Sequence, residues 1–207
     1  MSSRHEVLVP VGRAERWVEN FAARHGGVSL TVDGALVGSA PDGSRFVARL
    51  PFAQGYAGPA DPDALAAAAV PPPLWGVLLV RKGGFAVARL EGPTLVEHKA
   101  GQRHVQGRTK AGGQSQQRFA RRRENQSRAA YEAAAGHAAR ILRPGPLVTG
   151  GDHAAVDAVL ADPGLAALRK SGLTVVGPWL PVPDPRRREL EAAIADAQSL
   201  AVEVHNA

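Results

Sequence analysis

The chain contains no cysteine, and only 5% of its residues are aromatic. The first absence excludes disulfides and thiolate metal sites and fits a reducing compartment. The second leaves alanine, valine and leucine to fill most of the interior, because 44% of the residues are still hydrophobic. Long apolar runs are also missing. The most apolar stretch, Pro71 to Val80, is too short and too rich in proline to span a bilayer. The opening residues, Met1-Ser2-Ser3-Arg4-His5-Glu6, lack the apolar centre of a secretion signal. A cytoplasmic protein without membrane contact is expected. His98, His104, His137 and His153 show no paired ligand spacing, so neither a metal nor a cofactor is expected. A chain of 207 residues can bury one good core, or one core and a small satellite.

What is present is positive charge in one place. The net charge of +6 is modest. Between Lys99 and Arg128, however, nine basic residues are opposed by the single acid Glu124. That excess is larger than the excess of the whole chain, so the remainder is slightly acidic. A field concentrated in this way suits a surface that meets a polyanion, although a solvated basic helix has the same composition.

Periodicity divides the chain. Residues 6–11 read as a strand, and Arg13 to Arg24 as a helix carrying Trp17, Val18 and Phe21 on its core side, stopped by Gly26-Gly27. Strands follow at 28–32, 35–37 and 46–50. Residues 1–52 thus form a small α+β module, and the Ala/Pro/Gly-rich residues 53–73 read as a linker. Residues 74–207 form the second domain. Trp75 to Val80 and Phe85 to Leu90 make a hairpin, and Thr94 to His98 a third strand. A basic loop at 99–114 leads into a long helix at 115–142, where Arg, Gln, Glu and Ala dominate without proline. A strand at 147–149, broken helices over 153–170, a strand at 173–177 and a final helix at 185–200 complete the order. The predicted class is α/β, with a mixed sheet flanked by helices.

Four Gly-Gly pairs occur. Those at 26–27, 83–84 and 150–151 fall where a helix stop, a hairpin turn or a strand-to-helix turn needs one. Asp152, just after the last of these, reads as a helix cap. Gly112-Gly113 differs, because it sits at the end of the basic loop, directly before the long helix, and is followed by Gln114-Ser115.

Here the chain resembles a known family. Gly112-Gly113-Gln114-Ser115, followed by Arg118, Phe119, Arg121 and Arg123, is similar to the middle domain of eukaryotic and archaeal class-I release factors. There a GGQS tetrad precedes an R-F-x-R-x-R pattern at the start of a long helix. The spaced Lys110-x-Gly-Gly also resembles the Vms-like ribosome-rescue branch. The resemblance covers about residues 74–200 and implies a ribonuclease-H-like sheet. Ala111 departs from it, since release factors place an arginine there, with Lys110 and Arg108 the nearest cations. The chain also lacks room for a separate codon-reading domain.

The resemblance implies a peptidyl-tRNA hydrolase that acts, as a monomer, at the peptidyl-transferase centre of the large ribosomal subunit. Gln114 is uncharged and cannot be a general base. In the implied scheme it places water, while Gly112 and Gly113 supply permissive backbone. Arg108, Lys110, Ser115, Arg118, Arg121, Arg122 and Arg123 are the implied contacts to RNA. A non-catalytic ribosome-binding or RNA-binding factor would share the basic segment but would not need Gln114. An endonuclease cutting the tRNA acceptor end would keep the enzyme and change the bond. Ser115 lies in no nucleophile elbow.

Overall fold

The computed structural model describes the backbone of residues 3–102 and 114–207, and the side chains of residues 4–102 and 128–207. In chain order the elements are β1 (Ser3–Val9), α1 (Ala14–His25), β2 (Ser29–Val32), β3 (Leu36–Ser39), β4 (Arg45–Arg49), α2 (Pro62–Ala68), β5 (Trp75–Arg81), β6 (Gly84–Glu91) and β7 (Thr94–Gln102). They continue as α3 (Gln114–Ile141), β8 (Gly145–Gly151), α4 (His153–Leu160), α5 (Ala166–Lys170), β9 (Leu173–Leu180), α6 (Arg187–Ala197) and β10 (Leu200–Asn206). The chain divides into two compact units, one of residues 1–71 with 194–207, the other of residues 72–193.

The first unit is an antiparallel sheet in the order β1-β10-β4-β3-β2. Helix α1 lays the expected apolar stripe on the core. Val18 and Phe21 are buried, and Trp17 meets the ring of Phe46 edge-on at 5.0 Å. Gly26 ends the helix in the left-handed conformation (φ 78°), where a β-carbon would be strained.

Two features of this unit differ from the sequence reading. Residues 53–71 of the expected 53–73 linker belong to this folded unit. Phe52, Tyr56 and Leu65 are each buried, and Asp61 caps α2 by accepting from the Ala64 amide at 2.8 Å. Three anchors spaced irregularly among Ala, Pro and Gly leave no periodic signal. The second difference is β10. The final helix, expected to run to residue 200, stops at Ala197, and the chain returns to the first sheet between β1 and β4. Leu200, Val202 and Val204 alternate into the core and are buried. The module begun by residues 1–52 is therefore completed by the last residues of the chain.

The second unit holds the mixed sheet that the sequence predicts, in the order β7-β6-β5-β8-β9. β5, β6 and β7 are antiparallel neighbours, whereas β8 and β9 run parallel to β5. β5 is buried along its first six residues, as expected for a central strand covered on both faces. The core is aliphatic: Leu78, Val87, Ile141, Leu142, Leu147 and Leu165 are all fully buried. Gly151 (φ 101°) turns β8 toward α4, and Asp152 caps that helix by accepting from Ala155 at 3.3 Å. β7 extends to Gln102, so the first residues of the expected 99–114 loop are strand. The polar side chains there suit an edge strand with one exposed face, a composition that also reads as loop.

Candidate functional site

Gly112 and Gly113 fall in sequence between β7, which ends at Gln102, and α3, whose first residue is Gln114. The hairpin stays paired to its end, with Gly84 opposite Gln102 and Phe85 opposite Gly101. Glycine is required at this root. A β-carbon on Gly101 would come within 2.6 Å of the Phe85 ring, and one on Gly84 within 2.9 Å of the Gly101 carbonyl oxygen. On the far side, α3 begins at Gln114. The first turn of any helix has amides without intrahelical partners, and its dipole end favours negative charge. Gln114 therefore starts a 28-residue helix, and its opening amides have no partner within that helix.

The C-terminal half of α3 is tied to the sheet. Ala134, Ala138 and Ile141 are buried on one side, with Ala130 and Ala135 beside them. Arg140 pairs with Glu97 of β7 at 2.5 Å, and Glu97 is also 3.9 Å from Arg89 of β6. Arg143 donates to the Arg140 and Leu142 carbonyls, both at 2.8 Å, which satisfies the end of the helix. His137 stacks on Phe85, ring centres 5.4 Å apart. Burial, and then the charges of Lys99 and Arg140, hold its pKa below the ordinary histidine value. Lys99, Gln102, Ala133 and His137 edge a small cavity of about 210 Å³ beside Gly84 and Gly101. Gln102 donates to Asp184 at 3.4 Å, and Arg81 to the Val182 carbonyl at 3.0 Å, which braces the hairpin end against the segment after β9.

The sequence-predicted residues fall in two groups. Arg108, Lys110, Gly112 and Gly113 lie outside the described residues. Gln114, Ser115, Arg118, Arg121, Arg122 and Arg123 lie on the described backbone of α3, with their side chains outside the description. A helical step of about 100° places positions 118, 121 and 122 on one side of it. The histidines set aside as ligands have other surroundings. His137 is on Phe85, and His153 stacks on Trp179 at 3.5 Å. Among the described residues no group of three or more His, Asp or Glu is placed to hold a metal ion, and no helix is long and apolar enough to cross a membrane.

A family model described as the Actinobacteria/chloroflexi VLRF1 release factor matches residues 73–203, more than half of the chain. The chain belongs to the VLRF1 release-factor family. No curated protein matches it in sequence. The VLRF1 match begins just before β5, takes in the hairpin, the Gly-Gly-Gln tract and all of α3, and ends within β10. It leaves most of the first unit outside. Membership gives the chain a release-factor-like role associated with the ribosome.

Sequence reasoning missed the supports of this VLRF1 loop. Glu97 with Arg140, Gln102 with Asp184 and Phe85 with His137 are each distant in sequence, and no local pattern announces such pairs. Gly101 was the one visible signal, a glycine inside an otherwise strand-like run.

Proposed function

We propose that the chain is a ribosome-associated peptidyl-tRNA hydrolase, releasing nascent peptide from stalled ribosomes or large subunits without reading a stop codon. The observation that carries this reading is a Gly-Gly-Gln-Ser tract placed at the start of the long basic helix within a release-factor family match. Such a factor works in the cytoplasm on peptidyl-tRNA at the peptidyl-transferase centre.

The substrate is the ester between the peptide and the terminal ribose of tRNA. The Gln114 amide neither gains nor loses a proton near neutral pH, so its part is to orient the attacking water. The backbone amide at Gln114 donates to the oxygen on which negative charge develops, an effect worth about 3–4 kcal/mol for a well-aimed donor. The proton passes to the RNA, whose vicinal 2′-OH is the nearest group able to relay it. Gly112 and Gly113 let the chain enter a crowded RNA cleft, having no side chains to collide there. Arg108, Lys110, Ser115, Arg118, Arg121, Arg122 and Arg123 hold phosphates and set the depth of entry. The braces at the hairpin root and the Glu97–Arg140 pair fix β7 and the C-terminal half of α3, the elements that flank this tract in sequence.

The test uses purified ribosomes carrying peptidyl-tRNA and an empty A site. Wild type is expected to release peptide and leave the tRNA full length. Gln114→Ala keeps the backbone donor but loses the group that orients water, and should lower the rate roughly a hundredfold, the scale of misplacing a reactant by about an ångström. Arg121→Glu with Arg122→Glu should instead weaken ribosome binding, more so as salt rises. Unchanged release by Gln114→Ala would falsify the catalytic reading, and shortened tRNA would assign the protein to nuclease chemistry.

A further inference from the structure

The first unit has a free strand edge beside a positively charged groove. β1 pairs with β10 along Ser3 to Val9, and among the described residues no strand pairs with its other edge. An unpaired edge leaves a row of backbone donors and acceptors that another extended chain can complete. A groove of about 720 Å³ runs between the end of this strand and α1. Val7, Leu8 and Val9 all line it. Successive residues of a strand turn to opposite faces, so a groove touched by three in a row lies along the flank of the strand and not under one face.

The opposite wall is chemically selective. It is formed by Arg13, Arg16, Trp17 and Asn20, at helical spacings of three and four. Both arginines are exposed, and among the described residues neither takes part in an ion pair. No acid lines the groove. Glu15 and Glu19 of α1 stand more than a quarter-turn away from the centre of that face by the helical step. Arg4 of β1 and Arg49 of β4 are already engaged with Glu203 at 2.9 and 3.5 Å. Half-buried Trp17, whose ring also meets Phe21 and Phe46, adds an apolar lining to the groove.

We propose that this groove docks an extended acidic peptide segment of a partner protein, which adds a strand to β1 and sets carboxylates against Arg13 and Arg16. The main-chain ladder supplies the hold, and charge together with the Trp17 lining supplies the selection. Every residue that lines the groove lies outside the family match, so the groove gives the VLRF1 chain a means of recruitment of its own.

The full chain is titrated with three fluorescein-labelled octapeptides. One alternates glutamate with valine, one has lysine for each glutamate, and one is the glutamate peptide N-methylated at alternate amides. The glutamate peptide should bind at least roughly tenfold more tightly than either counterpart. Bound peptide should slow hydrogen exchange at the β1 amides. Arg13→Glu with Arg16→Glu should abolish the preference without changing the melting temperature. The proposal fails if the acidic and basic peptides bind alike, if N-methylation is tolerated, or if β1 gains no protection. It is also overturned if the chain sediments as a dimer that the double variant dissolves, which gives the edge to a second copy. Tighter, Arg13- and Arg16-dependent binding of octauridylate would give the groove to RNA instead.

Discussion

Truncation after Gln198 removes β10 and tests whether the first unit depends on the end of the chain. The structure sets the size of the effect. Leu200, Val202 and Val204 are 2%, 1% and 5% exposed. At about 1.5–3 kcal/mol for each buried aliphatic side chain, their loss amounts to roughly 5–9 kcal/mol. A typical domain has only about 5–15 kcal/mol of net stability. The same cut removes the described partner of β1 from Ser3 to Val9 and one of the two partners of β4 from Arg45 to Arg49. The first unit is therefore expected to unfold, while the second, whose sheet uses no residue beyond Leu180, keeps its core. Hydrogen exchange read by mass spectrometry resolves the two. Amides of β1 and β4 should exchange at once in the truncated chain, and those of β5 and β8 should stay protected. A milder change, Leu200→Ala, should cost about 2–5 kcal/mol in urea melts of the full chain. If β1 and β4 remain as protected without β10 as with it, the reasoning is wrong.

Three further outcomes follow from the hairpin root and its surroundings. Gly101→Ala brings a methyl against the Phe85 ring, a side chain that can give way, and should cost about 1–3 kcal/mol by overpacking. Gly151→Ala should cost more in the same urea melts, because its methyl would meet the Val80 carbonyl oxygen at 2.3 Å on a backbone held at φ 101°. His137 adds a pH dependence. Its folded pKa is depressed below the ordinary 6.5, so the unfolded chain takes up the proton first as pH falls. Its contribution is full above about pH 6.5 and declines through the interval between that value and the lower folded pKa. Thermal melts at pH 7.5 and pH 5 should differ more for wild type than for His137→Gln.

Much of the candidate site was legible because its signals are local. Gly112-Gly113-Gln114 and the arginines that follow are contiguous, and a helix free of proline announces itself by composition. The hairpin of β5 and β6, and the stripe of Val18 and Phe21 on α1, are equally local, since each rests on a repeat of two or three to four residues. The supports of the loop were not legible. Glu97 and Arg140 are 43 positions apart, and Gln102 and Asp184 are 82 apart. Nothing in either neighbourhood names the other.

The amino-acid sequence alone pointed to the family, to the residues proposed to carry the chemistry and to the order of most helices and strands, because composition and short-range periodicity act along the chain. Tertiary structure decided where the pieces go. Leu200, Val202 and Val204 alternate visibly as a strand, yet their place between β1 and β4 depends on an apolar face that residues at the other end of the chain create. The open edge of β1 has the same origin. A strand is an edge only by virtue of its neighbours, and hydrogen bonds between strands are made across space, between residues whose separation in sequence carries no mark.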